Sequence, residues 1–286
     1  MRTWQTVAII GVGLIGGSVG LALRSRKLAS RVVGIGRRRE TLEAAQRHGA
    51  ITDIAASIEE GLAGADLVIV CTPVEQIAAQ VCAAAVSAGE GTLITDAGST
   101  KAGILDEVRF SPQKAKWKRG VRFVGSHPMA GNEKKGPEHA AGDLFEDRVV
   151  IITPESDTSP ADVATVSEFW TSLGGRIVQM TPQAHDEAIA SISHVPHVIA
   201  SAIAASTPEE YVRLAAGGWL DTTRIAAADP HLWRQILLAN RENVLESLVR
   251  FDEALGNLRS ALAGHNHVQL EEILRQAKRV RDAVGN

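Results

Sequence analysis

Cysteine is nearly missing. Cys71 and Cys82 are the only two in 286 residues, and alone they cannot build a metal cluster. Cys71 ends the apolar run "LVIVC", so both are read as buried, reduced thiols of a cytosolic protein. Charge of one sign is equally scarce. A formal net charge of −3 is too small to suggest a nucleic-acid partner, and no Lys/Arg block is long enough to act as a basic arm. The densest cluster is "RRR" at Arg37 to Arg39. Internal repeats and low-complexity segments are absent. The apolar opening "VAIIGVGLIGGSVGLAL" is interrupted by five glycines, and no small-residue cleavage site follows it. Glycines spaced in this way do not suit a membrane span either. The expectation is a soluble, cytoplasmic protein with neither nucleic acid nor membrane as a partner.

What is present is ordinary globular composition, 45% hydrophobic and 22% charged, in a chain long enough for two domains. The first third alternates. "TVAIIGVG", "RVVGIG", "ADLVIVCTP" and "TLITDAGS" read as strands, with helical segments between them. Continuous apolar strands separated by helices indicate a parallel sheet covered on both faces, a doubly wound α/β domain. "RFVGSH", "RVVIITP" and "GRIVQMT" read as further strands. After about residue 181 strand-like runs disappear, and helices are expected over 183–206, 208–216, 230–263 and 267–283. The domains are therefore 1–181, α/β, and 182–286, all helical, meeting near Thr181-Pro182 without a long linker. "HDEAIASISHVPHVIASAIAAS" has small and apolar residues nearly all round. Such a helix is expected to be buried, inside a bundle or against another subunit.

Gly11, Gly13 and Gly16 form G-x-G-x-x-G directly after a strand and at the opening of a helix. The glycines allow a tight turn, close backbone approach to a pyrophosphate, and close helix–strand packing. The helix N-terminus adds amide donors and a favourable dipole. Leu14 and Ile15 between the glycines, with Thr72 and Pro73 in "CTPV", complete the expected cofactor contacts of a Rossmann-type site. The second strand bears on which nucleotide binds. An NAD site usually ends that strand with Asp or Glu to bind the ribose 2′-OH. Here Gly36 stands in that place, followed by Arg37 and Arg38, and a guanidinium can bind a 2′-phosphate bidentately. NADP is favoured, with NAD possible. An exposed helix start with incidental charge is the plain alternative.

"VGSHPMAGNE" brings His127 to a strand end and breaks the backbone around it with Pro128, Gly125 and Gly131. "TDAGSTK" ends another strand. In an open α/β sheet ligands bind at the carboxyl ends of strands, so Ser99 and His127 reach one crevice from two loops. A hydroxyl beside an imidazole fits Ser–His nucleophilic chemistry, but no G-x-S-x-G elbow is present and a dinucleotide would fill that space. A serine that orients the histidine or the substrate is the better reading. A turn histidine satisfying backbone groups is the alternative for His127.

Together "GVGLIGGSVGLAL", "CTPV", "TDAGSTK", "GSHPMAGNEKKG", "SHVPH" and "GGWLDTTRIA" resemble the prephenate dehydrogenase family, oxidative enzymes of the tyrosine pathway whose close relatives use arogenate. The resemblance runs in order to about Trp233; after about residue 240 it is only helical character. It implies a dinucleotide domain followed by a helical dimerisation domain, hence a homodimer. It implies His127 as the catalytic histidine, Ser99 as its helper, and Glu133, Asp221, Arg224 and Trp233 as substrate-binding residues. A lysine often found before the motif's aspartate is Leu220 here. The implied reaction moves hydride from the hydroxyl-bearing ring carbon to nicotinamide, passes the hydroxyl proton to a base, and loses carbon dioxide.

A neutral imidazole suits that proton step near pH 7, with an acid limb expected around pKa 6–7. Arg224 can hold a carboxylate with two parallel hydrogen bonds. His194 and His197, three apart, share a helix face and join the expected substrate residues, with Pro196 expected to kink the helix nearby. With His185 and Glu187 close by, they also raise a zinc site, for which an H-x-x-H pair with an interposed proline is a poor rigid ligand. No metal is expected. Trp233 could be packing, and Asp221 could cap a helix over "TTRIAAAD". The rival readings are an arogenate dehydrogenase, a β-hydroxyacid dehydrogenase or imine reductase of the same architecture, and a non-catalytic NADP-binding redox sensor.

Overall fold

The computed structural model describes residues 2–131 and 134–285. By compactness the chain forms two units, Met1–Asn240 and Arg241–Asn286. The first is built on strand β1 (Trp4–Ile10), whose alternate side chains feed two apolar layers. Val7 and Ile9 point into one layer, with Leu67, Ile69, Phe145 and Trp170. Ala8 and Ile10 point into the other, with Val33, Val68, Val70 and Ile94. A strand buried on both faces must be apolar at every position, which is why these runs are continuous.

Helix α1 (Leu14–Ser25) carries the chain to β2 (Ala29–Ile35), and α2 (Arg39–Arg47) to β3 (Asp53–Ala55). Helix α3 (Ile58–Leu62) leads to β4 (Leu67–Val70), and α4 (Val74–Ser87) to β5 (Leu93–Asp96). Helix α5 (Ala102–Arg109) precedes β6 (Arg122–Pro128). Then come β7 (Val149–Thr153), α6 (Pro160–Ser172) and β8 (Arg176–Gln179). The sheet order is β3-β2-β1-β4-β5-β6-β7-β8. Every pairing is parallel except β6 with β7, which is antiparallel. Three elements here, β3, α3 and α5, are too short for periodicity to announce them.

The helical part begins with α7 (Pro182–Ile189), a π turn over Ala190–His194 and α8 (Val195–Ser206). The proline expected to kink this helix is met by a change of helix type. Pro196 has no N–H to donate, and the wider π turn precedes it. Helices α9 (Glu209–Val212), α10 (Gly217–Thr223) and α11 (Pro230–Ala239) follow. The single helix expected over 230–263 is interrupted at Asn240, which takes φ −117° and ψ 27°. Its amide donates to the Asp186 carbonyl at 2.7 Å and meets His194 Nδ1 at 3.1 Å. The second unit consists of α12 (Arg241–Ala263) and α13 (His267–Asp282).

The composition change at Thr181-Pro182 falls inside the first unit, because α7 buries His185, Asp186 and Ile189. Among the described residues, Pro182–Ser206 is the one helical stretch long and apolar enough to cross a membrane. It is a partly buried core helix. A third of its apolar window is covered, and its buried His185, Asp186 and His194 side chains are hydrogen-bonded within the protein. The all-round burial expected of it is not met within one chain, for Ile192 remains 67% exposed.

Phe145 lies in the turn before β7, completely buried, its ring 5.3 Å from that of Trp170 in an edge-on contact. Phe145→Ala should destabilise the protein by about 3–5 kcal/mol, read as a lower denaturant midpoint. An unchanged midpoint would show that this layer repacks freely.

Candidate active site

The order β3-β2-β1-β4 reverses direction between β1 and β4, and the loops leaving those strands flank a crevice. Gly11 follows β1 with φ 94°, where a Cβ would lie 2.8 Å from the Cys71 carbonyl. A Cβ on Gly16 would lie 2.2 Å from the Gly11 oxygen. These two glycines are required by backbone packing. At Gly13 a Cβ would meet nothing within 4 Å, so there the missing side chain leaves room for a ligand. Leu14 and Ile15 open α1, which has no side-chain cap and no acid in its first turn, so its amides face no competing carboxylate. Across the crevice Thr72 Oγ1 is buried without a hydrogen-bond partner, beside exposed Pro73. Open space, uncapped amides and an unpartnered hydroxyl fit a dinucleotide's phosphates.

Gly36 follows β2 directly, and Arg37 and Arg38 are exposed ahead of α2. Arg39 pairs with Glu43 at 2.8 Å and belongs to the helix surface. Of the two cysteines, Cys82 is buried in the core and burial pushes the Cys71 thiol up; both are free.

Strands β5 and β6 run parallel in register, Thr95 beside Val124, so the Ser99 loop and His127 emerge at the same sheet edge as the glycine turn. Ser99 is half-buried in a loop clamped by charge. Asp96 Oδ2 accepts from Gly98 N and from the ammonium of Lys101, whose Nζ also donates to the Ser126 carbonyl at 2.8 Å. Both Asp96 and Lys101 are completely buried. Burial lowers the Lys101 pKa, and the Asp96 carboxylate opposes that shift. Asp96 Oδ1 accepts from Ser126 N at 3.0 Å, which fixes β6 one residue before the histidine.

His127 is 8% exposed. Its Nδ1 lies 2.8 Å from His185 Nε2, and His185 Nδ1 lies 2.7 Å from Asp186 Oδ1. Asp186 also accepts from the α5 amides, Lys101 N at 2.8 Å and Ala102 N at 2.9 Å. One carboxylate thus joins α7, the α5 N-terminus and the histidine on β6. Burial, then the charges of His185, Lys101 and His194, push the His127 pKa well below 6.5. The acid limb expected around 6–7 therefore moves lower.

His194 and His197 share a face, as their spacing predicts. His197 stacks on Trp233 with ring centroids 3.6 Å apart, and His194 meets the same indole edge-on at 6.0 Å. His197 Nδ1 is buried and unpartnered. Asp221 is not a helix cap but an exposed residue within α10, whose N-cap is Ala216; Asp229 caps α11, accepting from His231 N. Arg224 follows α10 and, with Asp221, Trp219 and Leu220, lines a groove of about 550 Å³ of which His127 is not a lining residue. Glu133 lies outside the described residues.

Lys101, Asp186 and the part played by His185 escaped the sequence reading. The usable signals were an acid ending the apolar strand "LITD" and the "HD" pair just inside a helix that Thr181 caps.

The model of "Prephenate dehydrogenase, nucleotide-binding domain" matches residues 19–179, and that of "Prephenate dehydrogenase, dimerization domain" matches 181–276. The chain is 35% identical to prephenate dehydrogenase of Bacillus subtilis strain 168, over 97% of this chain and 75% of that protein. It is 31% identical to cyclohexadienyl dehydrogenase of Zymomonas mobilis, over 99% and 97%. Its structure resembles that of A. aeolicus prephenate dehydrogenase in complex with hydroxyphenyl propionate and NAD+, with a TM-score of 0.88, 31% identity and 98% of each chain covered.

Burial lowers the pKa of His127, His185, His194 and His197 below 6.5, that of His194 to about 4. Lowered folded pKa values mean that the unfolded chain binds more protons in this range. Stability is then fully present above pH 6.5 and is lost as pH falls, His194 alone contributing on the order of 3 kcal/mol by pH 4. Denaturant midpoints measured from pH 7.5 down to 4.5 should fall steadily. A flat profile would mean that these rings are not held neutral.

Proposed function

The chain belongs to the prephenate dehydrogenase family, and from that premise we propose that it oxidatively decarboxylates prephenate to 4-hydroxyphenylpyruvate in tyrosine biosynthesis. The observation that carries this reading is a neutral, buried imidazole, His127, at the same strand-end edge as a glycine crevice suited to a dinucleotide. Bound oxidised dinucleotide supplies the hydride acceptor. His127 takes the proton of the substrate hydroxyl as the C–H bond on that carbon breaks. The ring carboxylate then leaves as carbon dioxide, and its bonding pair stays with the ring, which becomes aromatic. Ser99 orients the histidine or the substrate. His194, His197 and Trp233 make a polar and aromatic wall for the ring, while Glu133, Asp221 and Arg224 bind the substrate's polar groups, the Arg224 guanidinium taking a carboxylate.

Residues 1–181 are assigned to dinucleotide binding and 182–286 to substrate binding and dimerisation. A homodimer is the proposed assembly, supported by the match to a dimerisation domain and by apolar α7–α8 surface left uncovered within one chain. The cytoplasm is the proposed location. NADP is the proposed cofactor, supported by the missing acid at Gly36 and the exposed Arg37 and Arg38.

The activity is tested with purified protein, prephenate or arogenate, and each oxidised nucleotide, following reduced nicotinamide. Prephenate should be turned over. His127→Asn should lower kcat by about 10²–10⁴-fold with nucleotide affinity nearly unchanged; near-normal turnover would remove His127 from the mechanism. Arg37→Ala should weaken NADP binding much more than NAD binding, since only NADP offers the 2′-phosphate. Equal losses for both would overturn the NADP preference.

A further inference from the structure

His127 is one of a row of three side chains, and hydrogen-bond accounting along the row fixes every proton. Asp186 accepts three N–H bonds, from Lys101 N, Ala102 N and His185 Nδ1. A carboxylate used in this way is an acceptor only, so His185 Nδ1 must carry a hydrogen. In the neutral ring, Nε2 of His185 then holds a lone pair. The only hydrogen bond that can span the 2.8 Å to His127 is donated by His127 Nδ1. His127 Nε2 is left bare.

We propose that His185 is a positioning residue that holds His127 in its Nδ1–H form, so that Nε2 stands ready as the base, and that Asp186 holds His185 in the same form. The proposal rests on the reading of His127 as the base. Both rings are buried, and burial lowers the pKa of each, so the neutral forms that the accounting needs prevail near neutral pH. The charged and titratable groups facing the pair are Asp186 on α7, Lys101 ahead of α5, Asp96 ending β5 and His194 in the π turn. When the substrate proton reaches His127 Nε2, the new imidazolium still donates from Nδ1 to His185 Nε2. His185 in turn donates to the Asp186 carboxylate, so the positive charge gains a counter-charge through one intervening ring. No proton beyond the substrate's own has to move.

The arrangement also accounts for Asp186 accepting two α5 amides. Those bonds point its remaining capacity at His185, and the chain's "HD" pair becomes a unit rather than two separate side chains. A neutral donor in place of Asp186 would reverse the His185 ring and with it the order of hydrogens along the row.

Nitrogen-15 NMR of full-length protein labelled in its histidine rings reads the tautomer without turnover. The expected wild-type result is Nδ1 protonated and Nε2 bare in both His127 and His185. His185→Leu, which removes the acceptor, should release His127 toward the Nε2–H form and lower kcat about 10–100-fold with KM values near normal. His185→Gln, whose amide oxygen can accept from His127 Nδ1, should recover most of the lost kcat. A wild-type His127 protonated at Nε2 would overturn the proposal, and so would a Leu variant with unchanged tautomer and kcat. If the Leu variant fails to fold, the wild-type tautomer decides alone. The tautomer is independent of activity, so a wrong one condemns this proposal, whereas an active His127→Asn condemns the reading of the base.

Discussion

The structure around the site depends on one carboxylate. Asp186 accepts from two backbone amides at the start of α5 and from one imidazole, and it does so while buried. A buried charge is expensive unless every lone pair finds a donor, and removing one partner of such a set costs more than never having built it. Asp96 and Lys101 meet the same requirement a few residues away, with each group's hydrogen-bonding capacity turned inward. These two sets share the Lys101 residue, its amide serving Asp186 and its ammonium serving Asp96. Through them β5, α5, β6 and α7 form one rigid corner, and the His127 imidazole stands on it.

Rigidity at that corner matters because the chemistry proposed for it is a coupled departure of proton and hydride. A base displaced by a fraction of an ångström loses its hydrogen bond to the hydroxyl it must deprotonate. The ring is therefore fixed by strand register on one side and by another ring on the other. Burial favours its neutral form, which the proposed base requires, and a carboxylate stands two groups away along the same hydrogen-bonded row. The same burial that favours the neutral imidazole makes it a liability in acid, since the unfolded chain takes up protons that the folded chain refuses.

The nucleotide crevice solves a different problem by different means. It needs backbone close to an anion, so it is made of glycine and uncapped helix amides rather than of charged side chains. Gly11 and Gly16 are fixed by contacts within the protein, whereas Gly13 faces open space. Sheet topology then puts crevice and histidine at one edge, because parallel strands all end on the same side. The antiparallel β7 lies beyond β6 and braces the histidine-bearing strand from outside.

The sequence alone determined the α/β alternation, since a strand buried on both faces must be continuously apolar and a covering helix must repeat at its own period. It also determined the glycine crevice and the histidine at a strand end, because both are local motifs whose meaning lies within about six residues. Short elements were beyond it: β3 spans three residues and α3 five, too few to show a period. Tertiary structure decided that the helix expected over 230–263 breaks at Asn240, where a side chain bonded to Asp186 and His194 draws the backbone out of the helix. It alone decided what His185 meets. Spacing made that residue a conceivable metal neighbour, but 58 positions separate it from His127, and no local pattern reports a hydrogen bond between residues so far apart in the chain. Periodicity records which face of an element is buried, and only packing records what that face meets.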